Sequence, residues 1–214
     1  AIGAALAHVD HGIARVHSKH NASPFLGPSY TADELVDTLR RNKLAYSTEN
    51  VIERAAALIS TGRIGAVFDG AMEFGPRALG NRSIVADPRV ADTRDRLNAV
   101  VKMREAFRPF AGAVFGDTID AYFDRAVESP YMNVVVQVRE HARALIPAIV
   151  HVDGSCRIQT LSRDQTLFAR LLKRFEEITG IGIIVNTSFN IKGEPIVMTP
   201  EDAVRCFYGT GLDF

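Results

Sequence analysis

The chain has no tryptophan and only two cysteines, Cys156 and Cys206, which lie far apart and form no C-x-x-C pair. That scarcity excludes a disulfide framework and a zinc ribbon, and it fits a reducing, cytoplasmic setting. Neither sign of charge is in excess: 25 Lys+Arg stand against 25 Asp+Glu in 214 residues, so no bulk field draws the chain onto nucleic acid. No run reaches the roughly 18 to 20 apolar residues of a membrane span, and the first residues lack the cationic-then-apolar layout of a secretory signal. Internal repeats and low-complexity tracts are also missing. What remains is an ordinary globular mixture, 47% hydrophobic and 23% charged; at this length such a chain buries roughly 70% of its unfolded surface. A soluble protein is expected, with one large domain or one domain and an appendage. The chain starts at Ala1 inside AIGAALAHV and stops at Phe214 after TGLDF, which reads as a piece of a longer polypeptide.

From His8 to Pro28 the periodicity is weak and polar residues are frequent, a linker composition that puts a domain boundary near Gly27 and Pro28. Thr31 then precedes DELVDTLRRN with Glu34 three positions on, a capping box, and Thr48 is expected to open a second helix, ENVIERAAALIS. Apolar runs predict strands at 64–68, 83–86, 111–115, 133–138, 148–152 and 181–185, of the kind buried on both faces. Helical patterns fall between them at 93–103 and 164–178, and after Thr199, with Pro200 at the first helical position, at 201–207. Such alternation indicates an α/β domain; spacing alone leaves a parallel or a mixed sheet open.

Three clusters could carry chemistry. Glu73-Phe74-Gly75-Pro76-Arg77-Ala78-Leu79-Gly80-Asn81-Arg82-Ser83 lies between two expected strands, with glycines and a proline fixing the backbone and two arginines offering planar donors for phosphate or carboxylate. A rigid surface turn with solvated arginines is the other reading. Lys102-Met103-Arg104-Glu105-Ala106-Phe107-Arg108-Pro109-Phe110 places three cations where Pro109 blocks regular helix, so they either converge on one point or serve as a solvated helix end. Asn186-Thr187-Ser188-Phe189-Asn190 follows an apolar strand, where open α/β sheets place ligands and where turn chemistry also favours these residues. His8, His11, His17 and His20 lie near Asp10 at i, i+3 spacings that could bind zinc or iron, but they fall in the linker, where a solvated or interdomain role is expected. His151 and Asp153 are read as strand-end packing or as neighbours of a substrate, and Cys206 as core.

Taken together, EFGPRALGNRSI, KxREAFRPF, HVDGSxRIQT and NTSFNxKGEPIVxTPEDA, in this order from about Gly27 to Phe214, closely resemble the C-terminal domain of the NodU/CmcH family of O-carbamoyltransferases. The resemblance implies a YrdC-like domain over 28–214, an α/β fold with a twisted open mixed sheet and flanking helices. It makes 1–27 the end of an upstream ASKHA-like domain plus linker, whose metal, Fe2+ by family analogy, belongs to the missing N-terminal part. The YrdC-type signature pairs KxR with a later SxN, matched here by Lys102-x-Arg104 and Ser188-x-Asn190. Ala71 stands where the family often has Arg, Gly112 where Pro is usual, and Thr166-Leu167 where Asn-Pro is expected, which leaves the branch of the family, and hence the acceptor, open.

The resemblance further implies that carbamoyl phosphate is broken down here and the carbamate activated by ATP, with Mg2+, to carbamoyl-adenylate. The missing domain then transfers the carbamoyl group to a hydroxyl of a small molecule. Arg77, Lys102 and Arg108 are expected on carbamoyl phosphate, and Lys102, Arg104, Ser188 and Asn190 on nucleotide phosphates, with Asn186 and Thr187 as weaker neighbours and Arg82 as a lesser candidate. The catalytic set is Arg77, Lys102, Arg108 and Ser188, and no protein-held metal is expected. Two rival readings are a threonylcarbamoyl-adenylate synthase acting toward transfer RNA modification and a nucleotide- or RNA-binding module without turnover. The EFGPRALGNRS and TPEDA strings weigh against the first, and zero net charge against RNA.

Overall fold

A computed structural model describes residues 23–214 except 106, 126 and 165. AIGAALAHV, the histidines at 8, 11, 17 and 20, and Asp10 lie outside the described residues. Helix α1 (Ala32–Arg41) starts from the expected capping box: Thr31 Oγ1 accepts from the Glu34 N–H at 3.3 Å, and Glu34 Oε2 accepts from the Thr31 N–H at 2.7 Å. Helix α2 spans Val51–Ser60, and Asn50 rather than Thr48 stands before its first turn. Strands β1 (Gly65–Phe68) and β2 (Arg82–Ala86) follow. Helix α3 (Thr93–Arg96) runs into a π-helical turn, Leu97–Val101. Then come β3 (Ala111–Phe115), β4 (Val134–Gln137), α4 (Glu140–Arg143), β5 (Ser155–Leu161), α5 (Leu167–Thr179), β6 (Ile183–Ser188) and α6 (Pro200–Tyr208).

The six strands form one open sheet in the order β1-β2-β6-β3-β5-β4. Its pairs are antiparallel except β3 with β5, so the sheet is mixed. β2 and β3 are buried along their whole length, as their unbroken apolar runs require, whereas edge strand β4 is partly exposed. On one face Ala56, Ile59, Phe168, Leu172 and Phe175 of α2 and α5 cover Val67, Val85, Ala113, Phe115 and Ile184. Each large apolar side chain buried there stabilises the fold by about 1.5–3 kcal/mol relative to exposure. On the other face Leu97, Val101, Phe123, Ile146, Ile149 and Cys206 pack against Ile84, Val114, Ile158, Ile183 and Val185, which places Cys206 in the core as expected. Among the described residues no helix is long and apolar enough to cross a membrane.

Three expectations require correction. Residues 148–152 form no strand: Pro147–Ile149 is a single 3-10 turn, and Val152 lies 95% exposed at the tip of the bend closed by Gly154. Ala148 and Ile149 are apolar because they are buried in the core beside Ile146, not because they join the ladder. The missing strand is β5, further along, whose alternation of Cys156 and Ile158 with Ser155, Arg157 and Gln159 is a period-2 pattern. The helix expected over 93–103 leaves α geometry after Arg96, because Lys102 N–H bonds to Leu97 O, five residues back, and Met103 takes a positive φ of 44°.

Two departures from the family pattern have local accommodations. Thr166 replaces an Asn by capping α5 through the Ala169 N–H. At Gly112 a Cβ would sit 2.7 Å from both Ile149 Cδ1 and Ile183 Cδ1, so these two side chains occupy the space a larger residue needs.

Candidate active site

Strand directions bring four loops to one end of the sheet. Ser83 at the start of β2 faces Ser188 at the end of β6, Asn186 faces Ala111 at the start of β3, and Ala111 faces Arg157 near the start of β5. Residues opposite one another in adjacent strands share a face, so Asn186, Ala111 and Arg157 form a row on the α5 face.

The loop between β1 and β2 is tied from within by Glu73. This buried carboxylate accepts the N–H groups of Leu79 at 2.7 Å, Asn81 at 2.8 Å and Arg82 at 3.1 Å through Oε1. Arg82 is fully buried and spends its guanidinium on the carbonyls of Asp69 (2.6 Å), Asn81 (2.9 Å), Pro28 and Gly70 (3.3 Å each), stacked 3.6 Å from the Phe68 ring centroid. It therefore holds the loop together and is not available to a ligand. The stretch before α1 is fastened to the same loop, with Gly27 N–H on Met72 O and Met72 N–H on Pro28 O, both at 2.9 Å. Arg77, at the outer turn, is exposed.

The second and third clusters meet directly. Lys102, only 5% exposed, directs Nζ at Ser188 O, Ser188 Oγ (3.3 Å), Asn190 O (3.0 Å) and Asn190 Oδ1 (2.7 Å). The Ser188 hydroxyl donates to Asn190 Oδ1 at 2.7 Å, and Asn190 Nδ2 donates to Glu194 O at 2.8 Å. The KxR lysine and the SxN pair are thus one hydrogen-bonded unit. Arg104 is half-buried, donating Nε to Asn98 Oδ1 at 2.7 Å and lying 4.7 Å over the Phe110 ring. Arg108 is exposed, with its nearest acid, Glu105, at 3.7 Å. Asn186 is buried and donates to Gln159 Oε1 at 2.7 Å and to Ala78 O at 3.3 Å, while Gln159 donates to Leu79 O at 2.8 Å. Thr187 is a neighbour in sequence only: by the pleat its side chain leaves on the opposite face from Asn186 and Ser188.

Arg157 is the site residue that reading the sequence missed. It sits inside HVDGSCRIQT, and the period-2 alternation of SCRIQTL is the signal that puts it on the same face as Gln159. Its guanidinium is largely buried, Nε has no hydrogen-bond partner, and its pKa is lowered first by burial and then by the charge of Arg77. The same field runs through the cluster. Arg104 is lowered by burial, then by Arg108 and Arg157. Lys102 falls to about 7, first through burial and then through Arg104, with the Cys206 thiol opposing. Among the described residues Arg77, Lys102, Arg104 and Arg157 make no ion pair, so like charges crowd one end of the sheet, with Glu105 offsetting part of the field at Arg104. His151 borders this region: its Nδ1 lies 3.0 Å from Ser155 Oγ, which donates to Asp153 Oδ1 at 2.7 Å, and its pKa is lowered, mainly by burial. Asp153 thereby serves the turn into β5. A concentration of cations that repel one another in the free protein is chemically suited to anionic groups.

The family of the carbamoyltransferase C-terminus matches residues 56–214. The nodulation protein NolNO of Sinorhizobium fredii is 47% identical, over 77% of this chain and 25% of its own length. An uncharacterized protein of Synechocystis, sll1178, is 40% identical over 90% of this chain and 36% of its own. The chain spans between a quarter and about a third of these curated relatives. Among solved structures, Sua5 of P. abyssi complexed with L-threonine superposes with a TM-score of 0.55 at 16% identity, over 77% of this chain and 46% of that one. Full-length HypF in its phosphate- and nucleotide-bound form gives 0.54 at 17% identity, over 78% and 20%. These two likenesses establish the fold as YrdC/Sua5-like. With the family match covering most of its length, the chain belongs to the carbamoyltransferase C-terminal family.

Proposed function

We propose that this domain binds carbamoyl phosphate and ATP at the cation cluster and forms carbamoyl-adenylate, which a domain outside this chain uses to carbamoylate a hydroxyl of a small molecule. The observation that carries the reading is the gathering of Arg77, Lys102, Arg104, Arg108 and Arg157 at one end of the sheet, beside the Ser188–Asn190 turn, with Glu105 as their one acid partner among the described residues. Both substrates are multiply anionic, and phosphoryl chemistry is promoted chiefly by positioning and charge neutralisation. Water cleaves carbamoyl phosphate to carbamate and phosphate. A carbamate oxygen then attacks the α-phosphorus of ATP, and the bond to pyrophosphate breaks. Arg77, Arg108 and Arg157 suit the carbamoyl phosphate end, where guanidinium forks grip phosphate oxygens in pairs. Lys102, Arg104, Ser188 and Asn190 suit the nucleotide phosphates, and Lys102 exchanges its internal oxygens for phosphate oxygens on binding. Among the described residues no three His, Cys, Asp or Glu side chains gather, and Mg2+ is assigned to the ATP phosphates as part of the substrate complex.

Titrating the chain with ATP and carbamoyl phosphate by calorimetry, with phosphate and pyrophosphate release assayed alongside, tests this reading. Binding of both ligands is expected, and Arg157→Ala should weaken carbamoyl phosphate binding by roughly tenfold or more, the worth of a lost charge-assisted contact. Absence of binding by either ligand would sink the proposal. Pyrophosphate release that requires L-threonine and bicarbonate instead of carbamoyl phosphate would move the domain to the threonylcarbamoyl-adenylate class.

A further inference from the structure

The geometry points to Asn98 as a positioning residue of the cation cluster, an inference that rests on the anion-binding reading above. Asn98 is fully buried at the second position of the π turn Leu97–Val101, a place where a polar side chain needs a structural reason. Three of its bonds run to the described residues of the loop that follows. Its carbonyl accepts the Arg104 N–H at 3.0 Å, its Oδ1 accepts Arg104 Nε at 2.7 Å, and its Nδ2 donates to Arg108 O at 3.0 Å. The main-chain carbonyl of Asn98 therefore holds the Arg104 backbone, while its side-chain amide joins the Arg104 guanidinium to the backbone of Arg108. The extra residue of the π turn matters to this, because the chain then turns out of the helix with Lys102 buried beneath Ser188 and Asn190 and with Met103 at φ 44°. With Nε on Asn98, Nη2 reaching Pro109 O at 3.4 Å and its plane over Phe110, the Arg104 side chain has both its direction and its rotation set, with Nη1 left to a ligand. A merely structural residue would stabilise the loop without changing what Arg104 does to an anion.

Two measurements on the full 214-residue chain separate these possibilities. In the first, the Arg104 Nε–H is observed by 15N-edited NMR. A resolved, slowly exchanging signal is expected in the wild type and in Asn98→Asp, which keeps the acceptor. Its loss is expected in Asn98→Ala. In the second, ATP affinity is measured well below the unfolding temperature for Asn98→Ala, Arg104→Ala and the double variant. Asn98→Ala should weaken binding roughly tenfold, and adding Arg104→Ala should cost little more, because the two changes remove one interaction. Wild-type affinity in a folded Asn98→Ala chain, independent additive losses, or an unprotected Arg104 Nε–H in the wild type would each overturn the assignment. A wild type that binds no ATP would instead overturn the anion-binding reading, and the NMR experiment would still decide whether Asn98 orders Arg104.

Discussion

Replacing Lys102 by methionine should make the protein more stable and unable to bind its anions. The unbranched Met side chain fits a lysine's path but carries no charge. Burial, reinforced by Arg104, takes the Lys102 ammonium from its ordinary 10.5 to about 7. That fall corresponds to about 5 kcal/mol of native-state destabilisation below pH 7 and to roughly 4 kcal/mol at pH 7 itself. The variant recovers this but deprives oxygens of a donor. Ser188 O keeps the Asn190 N–H at 3.1 Å, and Asn190 Oδ1 keeps the Ser188 hydroxyl, so Asn190 O bears most of the loss. An acceptor left in that state costs about 1–3 kcal/mol. The net expectation at pH 7 is a gain of about 2 kcal/mol. The sign with pH follows from proton counting. Between pH 7 and about 10.4 the unfolded lysine holds a proton that the native one has released, so wild-type stability rises with pH across that window. Other titrating groups are common to both proteins and cancel in the difference. Urea unfolding of both proteins at pH 7 and at pH 9.5 should show Lys102→Met ahead at the lower pH and the gap shrinking at the higher. A variant less stable than wild type at pH 7, or a gap that ignores pH, would show that the four oxygens around Nζ fully offset the desolvation and would refute the reasoning.

The same titration has a signature in binding. At pH 8 most Lys102 side chains are neutral, and an anion alongside restores the ammonium, so ATP binding should take up close to one proton; calorimetry in two buffers of different ionisation enthalpy reads this, and identical enthalpies would contradict it. Glu73→Ala removes the acceptor shared by three buried N–H groups and should cost about 3–5 kcal/mol in denaturant unfolding, whereas Glu73→Gln, which keeps an oxygen in place, should cost about 1–2. Equal losses in the two variants would mean that Glu73 acts by its charge and not by tying the loop.

Much of this architecture is legible in the sequence because its signals are local. The Thr31 and Thr199 caps, the unbroken apolar runs of β2 and β3, and the apolar spacing of α5 each fix one element within a few residues. The losses are also physical. Residues 148–152 carry a strand's composition because buried turns and buried strands demand the same side chains. β5 is hidden in the sequence because Arg157 and Gln159 stand on a face that is buried yet polar, so the strand carries no unbroken apolar run. Arg82 reads as a lesser ligand candidate because a guanidinium satisfied by four carbonyls and one aimed at a substrate look identical in a string of letters.

Net charge was uninformative for a related reason. A chain with 25 acids and 25 bases can still hold a cationic site if other acids are engaged elsewhere, and here Glu105 is the acid beside the cluster while others pair at a distance. Glu201 pairs with Arg41 on α1, Asp213 with Arg63 and Arg96, and Glu176 and Asp117 with Arg163, all away from the sheet end that gathers Lys102, Arg104 and Arg157. A neutral total keeps long-range attraction for polyanions low, while the local field stays high for a ligand small enough to enter. The arrangement costs stability in the free protein, as the lowered pKa values of Lys102, Arg104 and Arg157 require, and binding an anion returns it. The folded chain should therefore be stabilised by phosphate ligands beyond what mass action on a single neutral contact would give, because each bound charge relieves repulsion among several cations at once.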